Sequence, residues 1–431
     1  MFAVILLTVI ILLQSLVFRE FKKFLNSHLS FLSFNILNLS RRVRLTLLIF
    51  PFVFFNLPFI YTLIYRFDFT PFPEWIKILY IKPFFIFQCS MIFLGLILVI
   101  VKSIKVITKF IFWLLKKIKS FKTRVDEVKS KNGYKKFDLS RRKFIRYTAA
   151  AGVTYAFGAS TFGVYKKDEY EISNIALTIP KLPAELKGTT AVLISDIHSS
   201  PFMLEGKMKD YVAIINSLEP DIVLLPGDMT NSTINEVHPF TRAFRDIKTK
   251  YGAFASLGNH DYFSDENYIA EAVSNETPIR MMRNNSEFIK IKNKILCIHG
   301  LDDTRASGAR YDPAILNGFY NTLKNAGNTA ESMGLNINDI PQVMLCHKPY
   351  FFDEMSEYFK GLIVSGHTHG GQIVIAELGK INISIAGTVS NYLKGLYKKN
   401  GSQMYITRGI GTVGLPIRLN CPPEITKITL V

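Results

Sequence analysis

Cysteine is scarce in this chain of 431 residues: there are four, at positions 89, 297, 346 and 421, with no zinc-finger spacing among them. That scarcity excludes a disulfide-stapled fold. A Cys297–Cys346 bridge is conceivable outside the cytosol, but the scatter favours buried free thiols. Acidic residues are sparse in the first part, where residues 1–169 hold 27 Lys+Arg against 8 Asp+Glu, while the rest holds 25 against 26. The whole net charge of +18 therefore belongs to the first part, and the remainder offers no basic surface for nucleic acid. No internal repeat, heptad array or low-complexity segment is present.

Charge is missing altogether from Met1–Phe18, Leu45–Tyr65 and Phe84–Val101, each long enough to span roughly 30 Å of hydrocarbon. A fourth stretch, Tyr147–Tyr165, is also uncharged but rich in Ala and Gly. Residues 1–169 thus read as a transmembrane anchor region of about four helices. With no charge inside the spans, they read as anchors and not as a transport path. The intervening loops 19–44, 66–83 and 102–146 carry six, three and sixteen Lys+Arg. Basic loops stay in the cytosol, so the domain that follows the fourth span faces away from it. Within the last loop, Ser140-Arg141-Arg142-Lys143-Phe144-Ile145-Arg146 fits either a twin-arginine export signal or a pair of positive-inside arginines. Both place the domain on the same side. Residues 103–122 either continue the third span or form a basic interfacial helix on anionic lipid.

The second part, residues 170–431, is built on one repeated layout, a short apolar strand that ends in polar residues. Ala191–Ser195 runs into Asp196-Ile197-His198, Asp221–Leu225 into Gly227-Asp228, and Gly252–Leu257 into Gly258-Asn259-His260-Asp261. Gln342–Leu345 runs into Cys346-His347, and Gly361–Val364 into Gly366-His367-Thr368-His369-Gly370-Gly371. This gathers Asp, Asn and His at one sheet edge, the material of a two-metal hydrolytic centre. Mixed nitrogen and oxygen ligation suits Mn, Fe, Zn or Co better than Ca or Mg alone. In a strand, Asp196 and His198 would share a face, as would His367 and His369. Helices are expected at Lys207–Leu218 and near 240–249, with later strands at Gln372–Ala376, Ile381–Ile385, Gln403–Ile406 and Ile425–Leu430. The mixture predicts an α/β domain of two packed sheets with helices outside.

These five ordered motifs resemble the calcineurin-like metallophosphoesterase superfamily over roughly residues 185–431. Met229-Thr230-Asn231 after Gly227-Asp228 is a mild departure. The tail (Gly366–Ile373, Arg408–Thr412, Pro416–Arg418 and Pro422–Glu424) resembles a bacterial membrane-associated subgroup. The resemblance implies a four-layer α-β-β-α sandwich and two divalent ions. Asp196, His198 and His369 would hold one ion, Asn259, His347 and His367 the other, and Asp228 would bridge them. His260 would contact the phosphate or protonate the leaving group. The implied activity is hydrolysis, by a metal-bound hydroxide, of a phosphomonoester, phosphodiester or pyrophosphate on a lipid-linked or cell-envelope substrate. The expected setting is multi-pass in the plasma (inner) membrane, with membrane lipid as neighbour and no nucleic acid partner. Some relatives in the subgroup are UDP-2,3-diacylglucosamine hydrolases of lipid A synthesis, an alternative that conflicts with a non-cytosolic domain.

Other polar residues carry ordinary readings. His28 and His238 have no supporting neighbours, and His299 has a strand-end setting without a motif. Asp302 and Asp303 suit a solvated turn better than an orienting role. Arg305 and Arg310 would clamp a phosphate or sit in a solvated loop. From the loop charges, a reporter fused after Val431 is expected to work only if it functions outside the cytosol, and one near Asn132 to behave oppositely. An active cytosolic reporter at the carboxy terminus would reverse the orientation.

Overall fold

The computed structural model of the chain describes residues 2–28, 41–65, 68–69, 71–130, 132–304, 312–379 and 381–431. Arg305 and Arg310 lie outside them, as do the side chains of His28, Arg142 and Arg146. The chain divides into two compact units, Met1–Val164 and Tyr165–Val431.

The first unit is helical, with Phe2–His28, Arg41–Phe54, Leu57–Tyr65, Lys82–Leu115, Lys119–Ser130 and Asn132–Lys166 as its principal helices. Among the described residues, two stretches are long and apolar enough to cross a membrane, Leu45–Thr62 and Glu74–Leu115. Residues 2–18 lie in the first helix and Tyr147–Tyr165 in the last, outside those two stretches. Helix Lys82–Leu115 runs unbroken through the start of residues 103–122, favouring continuation of the third apolar run over a separate interfacial helix. Inside the unit three amides bond one another. Gln14 Nε2 donates to Gln88 Oε1 at 2.6 Å, and Asn56 Nδ2 donates to Gln14 Oε1 at 2.7 Å. Such pairs hold apolar helices together where water cannot compete.

Among the described residues the second unit has fourteen strands: β1 (Glu171–Leu177), β2 (Thr190–Leu193), β3 (Ile222–Pro226), β4 (Gly252–Ser256), β5 (Ile279–Met281), β6 (Asn285–Ile291), β7 (Lys294–Gly300), β8 (Gln342–Leu345), β9 (Leu362–Ser365), β10 (Ala376–Leu378), β11 (Ile381–Ile383), β12 (Gly395–Lys399), β13 (Ser402–Ile406) and β14 (Glu424–Leu430). They form two six-stranded sheets, ordered β1-β14-β2-β3-β4-β5 and β12-β13-β9-β8-β7-β6, plus the small hairpin β10-β11. Strands β2 to β5 are mutually parallel, as are β7, β8, β9 and β13.

Strand alternation explains the layering. In β2, Ala191 and Leu193 enter the core between the sheets, together with Leu224, Phe254, Ile298, Leu345, Val364 and Ile428. Val192 and Ile194 face the other way, onto helices Glu205–Ser217, Val237–Phe244 and Glu266–Glu276, through Met208, Tyr211, Phe240, Phe244 and Val273. The outer face of the second sheet is covered by Pro313–Ser332 and Phe352–Tyr358, through Phe319 and Met355 against Met344, Ile363 and Met404. The architecture is the expected α-β-β-α sandwich, with apolar residues on both faces of the central strands.

Three local expectations fail. The first strand stops at Leu193, short of Ser195, and Gln372–Ala376 is not one strand: Ile373 makes a single bridge to Leu419, and strand resumes only at Ala376, the first residue of β10. The helix expected near 240–249 ends at Phe244. Phe254 is fully buried between the sheets, so Phe254→Ala should cost roughly 3–5 kcal/mol of stability, read as a shifted denaturation midpoint. A midpoint within error of the parent would mean this core does not hold the sheets together.

Candidate metal centre

The parallel strands of both sheets end on the same side, and their following loops carry every residue of the motifs. Two hydrogen bonds join the sheets there: His347 Nδ1 with the Pro226 carbonyl at 2.8 Å, and the His367 N–H with Asp196 Oδ1 at 2.9 Å. Asp196 and His198 do not share a strand face, because the strand has already ended. Both take left-handed backbone, with φ of 52° and 49°, as do Asp228 at 56°, His367 at 70° and His369 at 49°. For residues with a Cβ this conformation is disfavoured, and its clustering marks a functional constraint. The loop of Asp196 runs beside that of Asp228, with His198 N–H bonded to the Asp228 carbonyl at 3.0 Å. Gly258 and Gly366 allow the closest approaches, since a Cβ on the first would strike Asp228 and one on the second would strike Ser195 and Asp196.

The side chains form two groups. Ligand atoms of Asp196, His198 and His369 lie within 4.8 Å of one another, and so do those of Asp228, His347 and His367. Asp228 also stands within that reach of His198 and His260, so it lies between the groups. Its Oδ2 is 3.1 Å from His347 Nε2 and 3.6 Å from His198 Nε2, while Asp196 Oδ1 is 3.5 Å from His369 Nε2. His367 and His369 therefore serve different groups, contrary to a shared strand face. Asn259 is buried, and its Oδ1 has no hydrogen-bond partner among the described residues, while the Nε2 of His347 faces Asp228. With Nδ1 of His347 committed to Pro226, Nε2 keeps a lone pair aimed at the group. Buried acceptors left open in this way fit divalent cations.

The electrostatics agree. Burial and the His260 charge push the His198 imidazole down to about 3. Burial, aided by His347 and His198 respectively, holds His367 and His369 well below the usual range. Three imidazoles are thus kept in the neutral form that donates to a metal. Burial raises Asp196 to about 6, whereas at Asp228 burial is outweighed by His347, His260 and His198, which hold the carboxyl well below its usual range. His347 is pushed up to about 10 by Asp228 against its own burial. A cation between Asp228 and His347 would take the place of that proton.

Two residues that sequence reasoning gave no role support the centre. Asp261 is fully buried and accepts from the backbone N–H of Gly258 at 2.9 Å, of Asp228 at 3.0 Å and of Thr230 at 2.9 Å. It thereby fixes the loop that presents Asp228. Its position next to His260 in the motif was the available signal. Arg418, also buried, donates to the carbonyls of Gly411 and Cys421 and lies 3.3 Å from His369 Nδ1. Nothing in the Pro416-Ile417-Arg418 pattern distinguishes it from a surface arginine.

The remaining candidates fall elsewhere. His299 has both nitrogens occupied, by Ser286 Oγ at 2.7 Å and Gln342 Oε1 at 2.9 Å, and is a core histidine. The His238 ring lies 3.5 Å from the Tyr268 hydroxyl, away from both groups. All four cysteines are free and buried. Asp302 pairs with Arg283 at 2.9 Å, and Asp303 is buried against Lys348, so neither lies in a solvated turn.

Residues 189–371 match the family model for calcineurin-like phosphoesterase. The chain carries a calcineurin-like metallophosphoesterase domain. It is 27% identical over 266 residues to "Transmembrane protein with metallophosphoesterase domain" of Danio rerio, covering 60% of this chain and 57% of that protein. It is 25% identical over 299 residues to "Uncharacterized metallophosphoesterase YkuE" of Bacillus subtilis, covering 68% and 98%. A Helicobacter pylori "Uncharacterized metallophosphoesterase" is 27% identical over 303 residues, covering 68% and 73%. The chain thus spans rather more than half the length of the Danio rerio relative.

Because Asp228 stands between both groups, Asp228→Asn should lower metal content from two ions towards one or none. Elemental analysis of the purified variant checks this, and two retained ions would remove Asp228 from the bridging position.

Proposed function

We propose that the domain hydrolyses a phosphoester with the help of two divalent ions. The observation that carries this is the convergence of six side chains, Asp196, His198, His369, Asp228, His347 and His367, into two groups with Asp228 between them. Asp196, His198 and His369 hold one ion, Asn259, His347 and His367 hold the other, and Asp228 faces both. The ions, of Mn, Fe, Zn or Co character, supply polarisation of a phosphoryl oxygen and activation of a water molecule.

His260 has a different task. Its backbone N–H donates to Asp228 Oδ1 at 2.8 Å, and its Nδ1 meets the Asn231 carbonyl at 2.6 Å. With Nδ1 anchored, Nε2 is the edge left for substrate, beside His198 at a ring separation of 4.6 Å. The ring is partly exposed, unlike the buried imidazoles around it. It is placed to give a proton to the leaving oxygen or to stabilise charge on the phosphoryl group.

The helical unit anchors the domain to the plasma (inner) membrane as a multi-pass segment, with the domain on the non-cytosolic face. Two apolar stretches and the loop charges support this reading. Tethering at a bilayer favours a lipid-linked or cell-envelope phosphoester over a soluble metabolite.

His260→Ala should keep both ions while losing roughly 10²–10⁴ in turnover, the usual scale for a positioned proton donor. The comparison is a rate assay on a phosphomonoester and phosphodiester panel with added Mn²⁺, alongside metal analysis. Loss of metal in step with activity would instead make His260 a ligand.

A further inference from the structure

Just past Gly366-His367-Thr368-His369 the chain builds a small tab that the proposed chemistry does not use. Strands β10 and β11 pair antiparallel, with Ala376 opposite Ile383, and the short helix Ile385–Val389 follows them. The tab is held in a set conformation. Ser384 Oγ caps the helix by accepting from the Gly387 N–H at 3.0 Å. The Ile375 N–H donates to the Ile383 carbonyl at 2.9 Å, and Asn420 Nδ2 donates to the Val374 carbonyl at 2.9 Å. The tab is also fastened to the metal centre. Its helix packs against the turn His369–Gly371, so closely that a Cβ on Gly371 would strike Ser384 Oγ.

The surface of this tab is ill suited to water. Ile385 is 76% exposed, more than any other large apolar side chain among the described residues, and Ile375 and Ile383 are exposed as well. Scattered single apolar residues on a surface need no explanation, but three on one small tab do. Residues 381–393, which include Ile383 and Ile385, contain no charged side chain. That absence decides among occupants. A protein partner, or a second copy of this chain, is selected by charges and directed hydrogen bonds around an apolar centre. A bilayer asks for neither, since apolar tips enter its acyl boundary while hydroxyls and amides sit among the headgroups. A bilayer is also within reach, because the same chain carries Leu45–Thr62 and Glu74–Leu115, both long and apolar enough to cross one. Tethering raises the local concentration so far that a few apolar side chains suffice for docking.

We propose that the tab of residues 375–389 inserts Ile383 and Ile385 into the surface of the bilayer that anchors the chain, and so holds the metal centre at the level of phosphoesters lying in that surface. This rests on the membrane anchoring read above, and not on the hydrolysis.

The test places an environment-sensitive fluorophore on Ile385→Cys in the full-length protein, reconstituted in phosphatidylcholine vesicles. The four natural cysteines are buried, and Met333→Cys, at a position 49% exposed and outside the tab, serves as the reference. Nitroxide-labelled phosphatidylcholine should quench the probe at 385 several-fold more than the probe at 333, and the emission at 385 should be blue-shifted. Adding Ile383→Asp should remove the extra quenching by shifting the docked fraction roughly 10–100-fold, the equivalent of burying one isoleucine. Equal quenching at 385 and 333 overturns the proposal. So does a blue-shifted probe at 385 that the lipid nitroxide does not reach, because protein and not lipid would then cover the tab. Because the readout uses neither metal nor substrate, either failure leaves the hydrolytic reading standing. Protein that does not stay with the vesicles would bring down the anchoring, and this proposal with it.

Discussion

The site depends on keeping one carboxylate, Asp228, ionised where water does not reach. A buried carboxylate without partners takes up a proton rather than stay charged. Here His347 Nε2 approaches it at 3.1 Å, the His260 N–H donates to it at 2.8 Å, and the surrounding imidazoles hold it well below the usual carboxylate range. Its backbone, at a φ of 56°, is held in place by Asp261, whose carboxylate collects the N–H groups of Gly258, Asp228 and Thr230. The cost of that second buried acid is visible, since burial and Asp228 together raise it to about 6. One negative charge is kept among the clustered imidazoles, and a second acid holds the loop that presents it.

The two sheets bring the groups together. Each sheet alone supplies half a centre: Asp196, His198, Asp228 and Asn259 follow strands of the first, and His347, His367 and His369 follow strands of the second. Neither half contains enough ligands for two ions. The shared core, with Leu193, Leu224 and Phe254 from one sheet and Ile298, Leu345 and Val364 from the other, sets how the strand ends face each other. Hydrogen bonds from His347 to Pro226 and from His367 to Asp196 then lock the halves at the level of the ligands. Apolar packing thus decides the arrangement of the clustered side chains at a distance, as expected for a site positioned by its scaffold.

Much was legible in the chain. Strand-ending Asp, Asn and His in five places fixed the chemistry, because residues at the ends of parallel strands meet at one edge whatever the intervening helices do. The mixture of strands and helices predicted two packed sheets with helices outside, and the sandwich has them. The charge-free stretches marked a separate helical unit, and the division after Val164 falls close to the composition change. Less legible were the edges, such as β1, where Leu177 alone is buried and the alternation is faint.

Spacing by itself did not decide how these side chains divide between the two groups. By spacing, His367 and His369 belonged together, yet they serve different groups, because left-handed backbone at both residues turns their side chains away from a strand alternation. Asp303 read as part of a solvated turn, but it is buried, and Arg418, to which the tail pattern gave no individual role, is buried beside His369. A linear pattern records which residue types are available and where strands end. Burial and mutual distance belong to segments far apart in the chain, and they exist only once the two sheets have packed.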